Sequence, residues 1–180
     1  MSEPSLPDKV IAIDRALAAA GIEHAFGGAL ALAYYAEPRA TIDVDVNIFV
    51  EPSEHKRVFG ALGPLGVERP PDDSGLERDG QSRWRWGRNP VDVFFANDAL
   101  HEAMRRAVRS VPFGDAEIPI LSPEHLAVCK ILFDRPKDWI DLEQMLLSPE
   151  LELAEIRAWL GRALDPEDPR VARFEELTAR

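Results

Sequence analysis

The sequence predicts an α/β fold, with strands and helices interleaved along the first part of the chain and a helical region after them. Three observations carry that expectation. The run Ile42-Asp43-Val44-Asp45-Val46-Asn47-Ile48 alternates apolar and polar residues, the period of a strand that buries one face. Val10, Ile11, Ile13 and Leu17, with alanines between and after them, recur at helical spacing until Gly21. Ser122-Pro123-Glu124 places a cap residue and a first-turn proline at the head of a long helical stretch.

Composition bounds the rest. The 180 residues suffice for one good core, or for one domain with a helical annex. Apolar content of 46% and charged content of 29% are those of a globular protein. A formal net charge of −11 argues against a general nucleic-acid binder, which usually shows a basic stripe. Cys129 is the single cysteine, so an intrachain disulfide and a cysteine-rich zinc site are both excluded. No apolar run approaches a membrane span and the N-terminus lacks a signal-peptide pattern, so the expected location is the cytoplasm, with no membrane partner.

In chain order, residues 1–7 read as a loose leader with two prolines, followed by a helix from Asp8. Residues 23–26 read as a short strand that delivers the chain to Gly27-Gly28, and Ala29 to Tyr35 is rich in helix formers. After the alternating run, Phe49 and Val50 complete the strand. Pro52 and Ser53 then open a helix to about Leu62, and Leu65–Val67 reads as a short strand. Arg69 to Gly75 is the most loop-like stretch. In Arg83-Trp84-Arg85-Trp86 the arginines face one way and the tryptophans the other, as a strand with Trp in the core; the arginines are solvated or contact phosphate. Pro90 to Phe95 reads as a buried strand holding one acid, Asp92. Asn97 or Asp98 caps a helix through Arg106, and a hairpin follows, 108–111 with 116–120. The helical region comprises His125–Phe133, Lys137–Leu147 and two tail helices broken at residues 165–169.

Chemistry concentrates between Gly27 and Asp92. On one strand, Asp43, Asp45 and Asn47 share a face opposite Ile42, Val44, Val46 and Ile48. Like charges so close repel, and a divalent cation is the obvious reason to keep them together. Mg²⁺ takes a few carboxylate oxygens and completes its shell with substrate phosphates. The Gly27-Gly28 pair suits a turn that brings backbone N–H groups to a phosphate. Asp92 sits in an apolar run where a lone carboxylate is expensive, so it belongs at an exposed end or in a charged cluster. The loop acids Asp72, Asp73 and Asp79 have nothing to fix their geometry.

Strand, Gly27-Gly28, helix, Arg39-x-Thr41, then Asp43-x-Asp45 on a strand resembles the nucleotidyltransferase superfamily with the DNA polymerase β-like catalytic core. The likeness covers roughly residues 8–147 and is closest to the small bacterial branch, abortive-infection-type toxins and compact antibiotic nucleotidyltransferases. It implies a small mixed, mostly antiparallel sheet flanked by helices. The catalytic core would occupy residues 8–120 and a C-terminal helical region residues 121–180. It also implies transfer of a nucleoside monophosphate from an NTP to a hydroxyl acceptor, with two Mg²⁺ ions held by Asp43, Asp45 and Asp92. Gly27, Gly28, Arg39 and Thr41 would serve the nucleotide, although Gly28 stands where a phosphate-binding serine often does and the spacing to Asp43 is slightly long. Downstream, Ser122 to Lys130 and Arg135-Pro136-Lys137-Asp138 to Asp141-Leu142 resemble the helical motif of the toxin-like branch. That motif, carried over to Lys130, Lys137, Asp138 and Asp141, implies roles for Lys130 and Asp138 in catalysis and for Lys137 at the nucleotide; the structural alternative pairs Asp138 with Arg135 or Lys137 and lets Lys130 snorkel. The acceptor would be RNA, such as a tRNA 3′ end, or a protein, with an antitoxin as partner. The alternatives are a small molecule such as an aminoglycoside or lincosamide, and a non-catalytic nucleotide-binding domain.

Overall fold

The structure is a computed structural model describing residues 3–179. Its contacts divide the chain into two compact units: the chain up to Leu30 with Ala40–Leu121, and Ala31–Arg39 with the chain from Ser122 onward.

The first unit is built on a seven-stranded mixed sheet. Its strands are β1 (His24–Phe26), β2 (Val44–Ile48), β3 (Val67–Glu68), β4 (Gln81–Trp86), β5 (Asn89–Phe95), β6 (Arg109–Phe113) and β7 (Ala116–Ile120), in the order β3-β4-β5-β2-β1-β7-β6. The β2–β5 and β1–β7 pairs are parallel and the other four antiparallel. The mixed, mostly antiparallel sheet expected from the sequence is therefore present.

One face of this sheet carries the core. Phe26, Val46 and Val93 are register partners in adjacent strands, so with Val44, Ile48, Val91 and Phe95 they project to one side. All are buried, as are Trp84 and Trp86 of β4. Helices α1 (Leu6–Ala19) and α3 (His55–Leu62) pack against each other and supply Val10, Ile13, Leu17, Val58 and Leu62 to the core. Phe59 meets Trp84 edge-on at 5.7 Å. Between them, α2 (Gly28–Leu32) is a single short helix. Two further helices, α4 (Leu76–Asp79) and α5 (Ala99–Arg106), complete the unit, and Asp98 caps α5 by accepting from the His101 N–H.

Several boundaries differ from the sequence expectation for local reasons. The leader is helical from Leu6, because Ser5 and Asp8 form a capping box with Pro7 in the first turn; Met1 and Ser2 lie outside the described residues. Strand β2 is shorter than the alternating run. Ile42 is 61% exposed and Phe49 and Val50 have left the ladder, so the run's period overstates the strand by its ends. Residues 63–65 form a 3₁₀ turn before β3, and residues 52–54 another before α3.

The second unit is helical: α6 (Pro123–Phe133), α7 (Pro136–Met145), α8 (Leu153–Ala163) and α9 (Pro169–Thr178), with Ala31–Arg39. Packing α6 against α7, α8 and α9 gathers Leu126, Ile131, Leu142, Ile156, Leu160 and Phe174 into its core. Ser122 caps α6 as expected, and α7 starts one residue earlier and stops two sooner than its sequence pattern suggests.

Candidate active site

The face of the sheet opposite the core carries the acids. Parallel pairing of β2 with β5 sets Asp45 directly across from Asp92. Antiparallel pairing of β5 with β4 sets Arg83 across from Asp92 in turn. That second register is fixed by the two-residue loop Gly87-Arg88, which closes over the Trp86–Asn89 pair. Gly87 has φ +58°, a conformation glycine adopts without a steric penalty.

Asp43 lies one residue before β2 and is held by local contacts. The Thr41 hydroxyl oxygen accepts from the Asp43 N–H at 3.1 Å, a turn that a threonine side chain can template. Asn89 Nδ2 donates to the Ile42 carbonyl at 2.7 Å. Asn89 is itself fixed by the fully buried Lys9, whose Nζ donates to Asn89 Oδ1 at 2.7 Å and to the Trp86 carbonyl at 2.8 Å. A buried lysine in the first helix thus ties the hairpin end to the segment carrying Asp43.

On the other side of β2, the Gly27 N–H donates to the Asp45 carbonyl at 2.9 Å. Gly28 has φ +54°, and a β-carbon there would overlap the Asp45 carboxylate. Only glycine satisfies both demands, which gives a physical reason for glycine instead of serine at this place. Asn47, further along the same face, is buried and donates to the Ala25 carbonyl at 3.5 Å.

Arg83 dominates the electrostatics of this face. Its Nε and Nη2 donate to the two Asp92 carboxylate oxygens, both at 2.7 Å, a bidentate pair. The guanidinium is held above its already high range, first by those hydrogen bonds and further by the charges of Asp92, Asp43 and Asp45. All three acids therefore lie within its electrostatic reach. The arginine side chain is 60% exposed and the Asp92 side chain 15%. Sequence reasoning singled out the Arg83 alternation but missed this pairing.

The donor chemistry fits a divalent cation, because hard oxygen ligands project from adjacent positions on one face. The geometry is not preassembled, however: among the described residues no three His, Cys, Asp or Glu side chains are grouped as a metal site. Asp92 is engaged by Arg83 instead.

In the second unit, Lys130 is buried rather than snorkelling, with Nζ 2.6 Å from Asp141 Oδ2 and 3.8 Å from Asp138 Oδ1. Arg39 makes a bidentate pair to Asp141, with both bonds at 3.0 Å. Asp138 accepts from Arg135 Nε at 2.6 Å and from its backbone N–H at 3.3 Å, as the third helical residue of α7. Burial alone would raise the Asp141 carboxyl, but the hydrogen bonds from Arg39 and Lys130 outweigh it and hold the group below its usual range. Lys137 is exposed in the first turn of α7. The structure thus gathers Gly27, Gly28, Thr41, Asp43, Asp45 and Asp92 in one unit. It gathers Arg39, Lys130 and Asp138 around Asp141 in the other.

The fold is that of nucleotidyltransferases. ANT(2'')-Ia, an antibiotic-resistance factor, superposes with a TM-score of 0.59 at 14% identity, over 99% of this chain and 91% of its own. The lincosamide antibiotic adenylyltransferase LnuA gives 0.55 at 12% identity, over 80% and 98%. An antigenic nucleotidyltransferase-like protein from Paracoccidioides brasiliensis gives 0.54 at 17%, over 93% and 90%. No curated protein matches in sequence. Residues 12–179 match the family described as nucleotidyl transferase AbiEii toxin, type IV TA system. The chain belongs to this family and is a nucleotidyltransferase. No helix among the described residues is long and apolar enough to cross a membrane.

Proposed function

We propose that the protein transfers a nucleoside monophosphate from an NTP to a hydroxyl of RNA, a tRNA-like end being the favoured acceptor and a protein hydroxyl the other toxin-type acceptor. It would act as the toxin of a toxin–antitoxin pair. The observation that carries this reading is the in-register placement of Asp45 and Asp92 on adjacent strands beside Gly28, within a chain of this family. The catalytic core would be residues 8–120 and the supporting helical region residues 121–180, in the cytoplasm, with an antitoxin as partner.

Asp43, Asp45 and Asp92 would hold two Mg²⁺ ions. Bound there, the metal supplies charge neutralisation for the triphosphate and acidifies the acceptor hydroxyl. The acceptor oxygen attacks the α-phosphorus, the bond to the β-phosphate oxygen breaks, and pyrophosphate leaves. Asp92 would take the hydroxyl proton, a role that Arg83 weakens while it holds both carboxylate oxygens. Gly27 and Gly28 would present backbone close to the β and γ phosphates, and Thr41 would keep Asp43 in place. Lys130 and Asp138 would have to leave buried ion pairs to touch substrate, so we give them, with Arg39, the role of positioning residues. Lys137, exposed in the first turn of α7, would keep the nucleotide role that its motif implies.

Resemblance to ANT(2'')-Ia and LnuA, together with the net charge of −11, favours a second reading, in which a cationic antibiotic is the acceptor. Incubating the protein with each α-labelled NTP, Mg²⁺ and either total RNA or a panel of aminoglycosides and lincosamides separates the two. Label on RNA that disappears in Asp45→Asn is the expected result. Label on a drug selects the second reading, and no transfer to RNA, drug or the proteins of an added cell extract would sink both.

A further inference from the structure

The Arg83–Asp92 pair sits where the reaction needs Asp92 exposed to a cation. We infer that Arg83 is a latch: it occupies the Asp92 carboxylate in the resting protein and competes with the divalent ion for it. This rests on the nucleotidyltransferase reading of the acid row and adds a residue that reading does not use.

Three observations support it. Arg83 Nε donates to Asp92 Oδ1 and Nη2 to Oδ2, each at 2.7 Å, so neither oxygen keeps its full acceptor capacity while the pair is closed. Arg83 stands in register across from Asp92, and Asp92 across from Asp45, so the guanidinium shares a face of the sheet with the acids that a divalent ion would use. And the Arg83 side chain is 60% exposed, so it can swing into solvent without opening the core, whereas Asp92 stays fixed on its strand.

The competing account is an ordinary cross-strand ion pair that merely steadies the hairpin. The two differ in what removal does. An Arg83→Gln protein freed of a latch binds cation more tightly, whereas one that lost a structural pair does not. Loss of any positive charge near the acids also helps a cation, so the charge effect needs its own control. Arg85→Gln supplies it, since Arg85 lies two residues along the same face of β4 and pairs in register with Pro90.

The test is calorimetric titration of the apoprotein with Mn²⁺, in wild type, Arg83→Gln, Arg85→Gln, Asp92→Asn and the Arg83→Gln/Asp92→Asn double variant. A latch predicts about twofold to fivefold tighter Mn²⁺ binding in Arg83→Gln, the size of a partly exposed ion pair. It predicts a smaller gain in Arg85→Gln, and no gain from Arg83→Gln once Asp92 is Asn. By linkage, Mg²⁺ must release Arg83 in the wild type, so its Nε–H resonance, assigned by its loss in Arg83→Lys, should shift on Mg²⁺ addition. Equal gains in the two arginine variants, or an Arg83→Gln gain that persists with Asp92→Asn, would overturn the latch and leave nucleotidyl transfer standing. Absence of Mn²⁺ binding by the wild type would overturn both. Circular dichroism of each variant confirms that a change in affinity is not a change in folding.

Discussion

The two units each hold a cluster of acids and bases, and the clusters are built on opposite principles. In the helical unit, Lys130, Asp138 and Asp141 are almost fully buried, and Arg39 and Arg135 complete their pairing from the surface. In the sheet unit, Asp43, Asp45 and Asp92 are only half-buried, and Arg83, which faces them, is well exposed. A buried network must be satisfied internally, because an orphaned charge there is costly. A half-buried one can leave its ligand positions to something that arrives from outside. The difference in burial is the ground for proposing the first cluster as support and the second as the site of chemistry.

The comparison breaks most visibly in activity. Asp45→Asn should lower nucleotidyl transfer on the order of a thousandfold, since a metal ligand contributes several kcal/mol to the transition state. Its thermal unfolding midpoint should stay close to that of the wild type, read by calorimetry. Asp141→Asn should do the reverse first: it leaves the buried Lys130 ammonium only its longer contact with Asp138 and should cost about 3 kcal/mol of stability, read by urea denaturation. If Asp141→Asn instead left stability intact while abolishing transfer, the division between the clusters would be wrong.

Gly28→Ala sharpens the site itself. Its φ of +54° and the contact with Asp45 both oppose a methyl group. We expect about 1 to 3 kcal/mol of destabilisation together with reduced transfer, from strain and a displaced carboxylate. The smallest effect concerns acid. Asp141 is held below its unfolded value, so it contributes stability that is complete above the ordinary carboxylate range and is lost as pH falls through the folded-state value. Unfolding midpoints of wild type and Asp141→Asn should therefore converge toward low pH, and parallel curves would count against the assignment.

Much of this was legible in the sequence where the signal is local. The alternation around Asp45 predicted which face the acids occupy, because strand period is a property of neighbouring residues. The cost of burying a lone acid picked out Asp92 from the loop acids. Ser122-Pro123 announced α6 through capping chemistry that needs only adjacent residues. What escaped was long-range. Arg39 and Asp141 are 102 residues apart, and nothing in either stretch names the other. Arg83 and Asp92 are only nine apart, yet their pairing depends on the register set by Gly87-Arg88, and a one-residue slip would turn the arginine to the other face. The buried Lys9 is a third case: a lysine in a helix reads as solvated until the hairpin end it caps is in place. Ile42 failed in the other direction, since period alone cannot say where a strand frays.

The central claim is that the acids of β2 and β5 work as one site, and a double-variant kinetic cycle on Asp45 and Asp92 tests it most directly. Residues acting as a unit predict that Asp45→Asn/Asp92→Asn transfers nucleotide no more slowly than the worse of the two single variants. Losses that multiply, or an Asp92→Asn protein with wild-type rates, would contradict it.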